Sequence, residues 1–120
     1  MLIDILDRRS KRGEKALAAL SANPDESMAT TSINLHELLY GCLKHSKPTD
    51  RLFDLQVLPF SKTDAALSSK IEAGLDAAGT SAQRADAMIA AVAINSGGRL
   101  FTFNVAHFEL MTGYGLKLFA

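Results

Sequence analysis

The chain has 120 residues, 48% of them apolar, which is enough for one folded domain with its own core. Thirteen basic and thirteen acidic side chains cancel, and a net charge of zero argues against a protein that holds duplex DNA by bulk electrostatics. The one cysteine, Cys42, excludes an internal disulfide and fits a reducing cytoplasm. The N-terminus lacks the pattern of a signal peptide, and the longest apolar run, residues 87–94, is shorter than the roughly 20 residues that span a membrane. We therefore expect a cytoplasmic protein without membrane contact.

The first half of the chain is predicted to alternate helices and strands. Residues 2–8 have the pattern of part of a helix, and residues 14–20 that of a second helix. Residues 28–33, rich in Thr and Ser, are predicted to form a short buried strand, and residues 34–45 a helix with apolar side chains on one face. A short helix is expected at residues 49–55.

The second half continues this alternation. A strand at residues 56–60 precedes a clear amphipathic helix at residues 63–78, which Gly79 is expected to close in the left-handed conformation. A largely buried helix is predicted at residues 81–96 and is ended by two glycines. It is followed by a strand at residues 99–103, a helical turn at residues 105–111 and a last strand at residues 116–120. Strands separated by helices of this length predict a parallel sheet with helices on both faces, a three-layer α/β/α fold.

Such sheets place their sites at the carboxyl ends of strands, and four polar residues are expected there. Glu37 lies one turn into the helix after the second predicted strand, although Asn34 and Glu37 could also form a capping box. Asp86 begins an otherwise apolar helix, where it either complements the helix dipole or binds a cation. Asn104 follows a strand end and could cap the next turn, and Thr102 could hold a metal-bound water.

Other chemistry is poorly supported by the sequence. The three histidines, His36, His45 and His107, have no ligand spacing and are interpreted as structural or surface residues. Neither a nucleophile elbow nor a glycine-rich phosphate loop occurs. The basic segment at residues 8–15 is interpreted as a solvated connection or as a contact to an RNA backbone.

Taken together, four stretches resemble the PIN domain family, and most closely its VapC-type toxin branch. They are residues 31–41 with Glu-x-x-x-Gly, residues 57–60, residues 86–91 with Asp-x-x-Ile-Ala-Ala, and residues 100–109 with Thr-x-Asn. The Asp-x-x-Ile-Ala-Ala motif followed by Thr-x-Asn is the part of the match that is most specific for the family, whereas Glu-x-x-x-Gly alone is weak.

The resemblance implies a ribonuclease dependent on Mg²⁺ (or Mn²⁺), the toxin of a VapBC-type toxin–antitoxin pair. By matched position Glu37 and Asp86 are metal-binding acids, and Asn104 takes the place of the family's last acid, where it keeps an oxygen but loses the charge. The ions activate a water and stabilise the leaving oxygen when RNA is cut. The expected partners are an RNA substrate, an antitoxin and a second copy of the chain.

The N-terminus departs from the family pattern. Family members open with a short strand and a run like Asp-Thr-Asn-Val-Leu-Ile-Asp, of which Leu2-Ile3-Asp4 matches the end. We therefore expect a single PIN-like domain over residues 1–120 that lacks the first strand and the first acid, with Asp4 in a supporting role at most. This predicts weak metal binding and little or no activity for the chain.

The alternative is a catalytically dead PIN-like module that binds a protein or RNA partner. A response-regulator-like domain fits less well, because the sequence has no convincing early pair of acids or late lysine. An upstream start of translation is our preferred explanation for the missing acid.

Overall fold

The computed structural model describes residues 2–4, 28–102 and 104–119 of the chain. Its strands are β1 (Leu2–Asp4), β2 (Met28–Thr31), β3 (Val57–Leu58), β4 (Arg99–Phe101) and β5 (Lys117–Leu118). They form one sheet in the order β3-β2-β1-β4-β5. The α-helices are α1 (Ser32–Lys44), α2 (Lys62–Ala77), α3 (Arg84–Ser96) and α4 (Val105–Glu109), and short 3-10 helices lie at Asp50–Asp54 and Thr112–Tyr114. All four strand pairings are parallel, as the alternating pattern predicts.

The expectation that the first strand is missing is wrong. Strand β1 lies in the middle of the sheet, where Leu2 is in register with Met28 on one side and Arg99 on the other. The predicted helix at residues 2–8 is therefore also wrong over residues 2–4. A three-residue segment is too short for its periodicity to separate strand from helix, and pairing with β2 and β4 decides between them. Residues 5–8 of that predicted helix lie outside the residues that the structure describes. The same holds for the predicted helix at residues 14–20 and for the basic segment at residues 8–15.

Local chemistry ends the helices as predicted. Gly79 follows α2 with φ of 78°, and Gly97 ends α3 with φ of 74°, both in the left-handed region that favours glycine. Helix α2 begins with a capping box, in which Ser61 and Asp64 each accept a backbone N–H of the other.

The core lies where α3 packs against α2 and the sheet. Small residues on α3 let these layers approach closely, and Ala87, Ala90 and Ala93 are fully buried. Larger core side chains come from α2, β4 and the C-terminal segment; they are Ile71, Leu75, Leu100, Phe108, Met111 and Leu116. In the part of the chain that the structure describes, none of the helices is both long and apolar enough to cross a membrane.

This arrangement brings several chain segments to the carboxyl edge of the sheet. Helix α1 begins directly after β2, and the segment from Thr102 to α4 follows β4. Helix α3 leads into β4 and therefore runs back along the sheet, so its first turn lies at the same edge.

Candidate metal centre

Glu37 lies in the second turn of α1 at the carboxyl edge. The N-cap of this helix is Thr31, whose Oγ1 accepts the backbone N–H of Asn34 at 3.1 Å and donates to Asn34 Oδ1 at 2.7 Å. The alternative in which Asn34 caps the helix and Glu37 bonds back is therefore wrong. Glu37 is exposed and has no hydrogen bond or ion pair within the described part of the chain. Its carboxylate is free to meet a ligand.

Asp86 lies in the first turn of α3, immediately before the buried part of that helix. Its side chain is 15% exposed, and its Oδ2 lies 3.4 Å from Nδ1 of His107 on α4. Burial raises the pKa of Asp86, while the contact with His107 acts in the opposite direction. A partly buried carboxylate that is costly to charge requires a nearby positive charge.

The fold brings Glu37 and Asp86 together. Helix α1 packs against α3. Although the Glu37 side chain is largely exposed, partial desolvation of its carboxyl raises the pKa of Glu37 most, the negative charge of Asp86 raises it further, and His36 lowers it by less. Two carboxylates that repel each other at one strand edge are what a hard cation neutralises. This neighbourhood is the geometric requirement on which a metal site at Glu37 and Asp86 depends.

Asn104, Thr102 and Asp4 occupy the same edge. Asn104 stands at the N-cap position of α4, but its side chain makes no capping hydrogen bond; its backbone N–H donates to Thr102 Oγ1 at 3.0 Å. The backbone of Asp4 ends β1 in register with Phe101, one residue before Thr102. Asp4 is therefore the last residue of the central strand, and not part of a helix as the sequence pattern indicated.

The donor set fits a magnesium-type ion. Over residues 28–102 and 104–119, no group of three or more His, Cys, Asp and Glu side chains is arranged to hold a metal. Glu37 and Asp86 are the acids that would hold such an ion, since Mg²⁺ is commonly bound through one or two carboxylates and keeps several waters for the substrate's phosphate to replace. Thiol and imidazole ligands, which softer metals prefer, do not form such a cluster there.

His107 contacts Asp86, which the sequence interpretation did not anticipate. A cleft of about 110 Å³ opens beside Asp86. One wall is the segment before α3 with its first turn, and the other is α4 with the turn after it. The lining residues are Ser81, Ala82, Gln83, Asp86, His107, Leu110 and Met111. His107 was interpreted as structural or surface, and its side chain is indeed 54% exposed, but it also contacts Asp86. Its position three residues after Asn104, close behind a strand end, is a signal that could have identified it.

The Glu37 carboxylate is expected to lower the stability of the metal-free protein. A raised pKa means that the charged form is disfavoured in the folded state, so the cost is present above the ordinary pKa of 4.5 and disappears as the pH falls below it. Because Glu37 is exposed, Glu37→Gln should raise the free energy of unfolding at pH 7 by only a few tenths to about 1 kcal/mol, and by nothing at pH 3.5. Urea denaturation in EDTA at both pH values measures this.

The matched control is Glu109→Gln on α4, an exposed acid for which we expect no change at either pH. Added Mn²⁺ should reverse the order of stability, because it stabilises the parent more than the variant. A Glu37→Gln protein that is less stable than the parent at pH 7 without metal would contradict this account.

The structure is a three-layer α/β protein with two carboxylates, Glu37 and Asp86, on helices that begin at the carboxyl edge of its parallel sheet. The family model of the PIN domain matches residues 1–111, so the chain belongs to the PIN domain family. No curated protein matches it.

Solved structures with the same fold are toxin–antitoxin complexes. VapBC2 from Rickettsia felis, bound to a DNA fragment from its promoter, has 24% identity and a TM-score of 0.75, covering 99% of this chain and 98% of that one. DNA-bound VapBC from Salmonella typhimurium has 25% identity and a TM-score of 0.72, covering 98% and 96%. VapBC-1 from nontypeable Haemophilus influenzae has 18% identity and a TM-score of 0.76, covering 98% and 95%. These neighbours support the VapC-type branch that the motifs indicated.

Proposed function

We propose that the chain is a divalent-metal-dependent endoribonuclease, the toxin of a VapBC-type pair. The observation that carries this proposal is the placement of Glu37 and Asp86 on two helices in contact, α1 and α3, whose first turns lie at the carboxyl edge of the sheet. Membership of the PIN domain family and the toxin–antitoxin neighbours support it. An antitoxin partner, a homodimer and a cytoplasmic location belong to the same proposal.

In this proposal Glu37 and Asp86 hold Mg²⁺ or Mn²⁺, with Asn104 as a neutral oxygen ligand. When bound, the ion supplies activation of water and stabilisation of the leaving oxygen during in-line attack on phosphorus. The protein's own contribution is to hold the two carboxylates in place before the ion arrives, with α3 anchored in the core behind Asp86. Thr102, whose hydroxyl meets the Asn104 backbone, is placed to support a metal-bound water.

Asp4 belongs to the proposed site by its backbone position. Low activity was expected because the first strand and first acid were predicted to be absent. Strand β1 is in place, and the backbone of Asp4 ends it at the carboxyl edge. We propose that Asp4 supports the site from this position, so that Asp4→Asn should lower cleavage less strongly than substitution of Glu37.

The proposal is tested by cleavage of a long single-stranded RNA by the purified chain. We expect cleavage with Mg²⁺ or Mn²⁺, none in EDTA, and recovery when Mn²⁺ is added back, because the carboxylates alone cannot activate water. Glu37→Gln protein purified in parallel controls for contaminating ribonuclease.

The second candidate is a PIN module that binds a partner without cutting. It is favoured by the limited donor set, since the residues in 28–102 and 104–119 supply no cluster of three metal ligands. Mn²⁺ titration separates the candidates. If the chain neither cuts RNA nor binds Mn²⁺ more tightly than its Glu37→Gln variant, the enzyme proposal fails and the binding module stands.

A further inference from the structure

His107 links the candidate metal centre to the cleft beside it. Its Nδ1 lies 3.4 Å from Oδ2 of Asp86, and the imidazole also lines the cleft. Asp86 is the more buried partner, with 15% of its side chain exposed against 54% for His107. His107 therefore contacts Oδ2 of Asp86 from the side of the carboxylate that faces solvent.

The backbone of α4 holds His107 in this place. The carbonyl of Asn104 accepts the backbone N–H of His107 at 3.1 Å and that of Phe108 at 3.3 Å. The neighbouring Phe108 is fully buried in the core, so α4 is anchored next to His107. The backbone that carries the imidazole is therefore held close to Asp86.

We propose that His107 is a positioning residue that fixes the orientation of the Asp86 carboxylate for a metal ion. In this arrangement the Nδ1 side of the ring would engage Oδ2, and Oδ1 would remain available to a metal ion. Partners of this kind behind a metal ligand restrict its rotation and increase metal affinity. This inference rests on the proposed function, because it takes Asp86 to be a metal ligand.

The contact does not require a particular charge on the imidazole. Both the charged ring and the neutral ring protonated at Nδ1 offer this donor. At 3.4 Å the contact is longer than a typical N–H···O hydrogen bond. Contacts in catalytic sites without ligand are commonly long and tighten on binding.

The test measures Mn²⁺ binding by calorimetry, without RNA, for two substitutions. His107→Leu removes the donor and keeps an apolar side chain of moderate size, and we expect roughly 10- to 100-fold weaker Mn²⁺ binding, the usual effect of losing such a partner. His107→Asn keeps an N–H donor near the place of Nδ1, and we expect affinity within about 3-fold of the parent. His45→Leu, at the far end of α1, is the matched control and should bind like the parent.

Two further readouts separate positioning from other roles. Pulsed EPR of bound Mn²⁺ should show no directly coordinated imidazole nitrogen, and thermal melting without metal should change little in His107→Leu. A coordinated nitrogen, or unchanged or tighter Mn²⁺ binding by His107→Leu, would overturn the inference. Loss of affinity in His107→Asn equal to that in His107→Leu would do the same.

The failure of this inference is distinguishable from failure of the proposed function. Asp86→Asn is measured in the same titration. If it binds Mn²⁺ as the parent does, Asp86 is not a ligand and the proposed site itself is wrong. If Asp86→Asn loses Mn²⁺ while His107→Leu keeps it, the proposed site stands and only the role of His107 is refuted.

Discussion

Asp86→Asn is expected to reduce metal-dependent RNA cleavage by roughly 10²- to 10³-fold, the effect of removing one strong electrostatic contact to a transition state. Asparagine has nearly the same shape, so α3 and its packing should be preserved, but the charge that attracts the ion is lost. The measurement is the single-turnover cleavage rate in saturating Mg²⁺ for the parent and the variant. Glu37→Gln should cause a loss of similar size.

The double variant gives the sharper result. If both carboxylates hold the same ion, Asp86→Asn combined with Glu37→Gln should be little worse than the more severe single variant, because the second change removes a contact that is already lost. Asp50→Asn, an exposed acid in the 3-10 helix between α1 and β3, controls for general loss of charge and should cut RNA like the parent. Multiplying effects in the double variant would mean that the two acids act independently, which contradicts a shared ion.

Asp64→Ala is expected to cause the largest loss of stability among the polar substitutions considered. The Asp64 side chain is buried and accepts three hydrogen bonds, from Ser61 N at 2.9 Å, Ser61 Oγ at 2.9 Å and Asn95 Nδ2 at 2.7 Å. It thereby joins the beginning of α2 to the end of α3. Hydrogen bonds to a charged group and a helix cap are together worth about 2–3 kcal/mol, which corresponds to a melting temperature lower by about 10 °C.

The effect of Asp64→Ala should depend on pH. Burial by itself raises the pKa of Asp64, but the hydrogen bonds from Ser61 and Asn95 outweigh it, and the net pKa lies below the ordinary 3.8. The stabilisation is therefore present above pH 3.8 and is lost as the pH falls through the lower folded-state pKa. Urea denaturation at pH 7 and pH 2.5 should show a large difference between parent and variant at the first and a small one at the second.

Asp76→Ala, an exposed acid on the same helix, is the control and should change stability by less than about 0.5 kcal/mol. An Asp64→Ala protein as stable as the parent at pH 7 would mean that the capping box and the link to Asn95 contribute nothing.

The sequence predicted the helices well where local chemistry sets their ends. Gly79 and Gly97 stop α2 and α3 because the left-handed conformation is open to glycine, and that property needs no tertiary contact. The sequence-based prediction was less successful at the start of α1. The cap is Thr31 and not Asn34, because β2 ends where Thr31 pairs with Leu58 of β3, a partner far away in the chain.

The sequence predicted the candidate residues of the site but not the contacts between them, because those contacts join distant parts of the chain. Glu37 and Asp86 could be predicted as candidate ligands because the start of a helix after a parallel strand and the start of a helix that returns to the next strand lie at the same edge of the sheet. The contact of Asp86 with His107 could not, since it depends on the angle at which α4 leaves β4. The link from Asp64 to Asn95 joins residues 31 positions apart and needs the packing of α2 on α3.

By itself the sequence determined the α/β class and the family, because alternating periodicity and short motifs act over a few neighbouring residues. It also offered Glu37 and Asp86 as candidate metal ligands, a role that stays a prediction. Only the tertiary structure decided that Leu2–Asp4 is the central strand. So short a segment has no preference of its own strong enough to choose between helix and strand. The unpaired backbone groups of β2 and β4 make that choice when β1 lies between them.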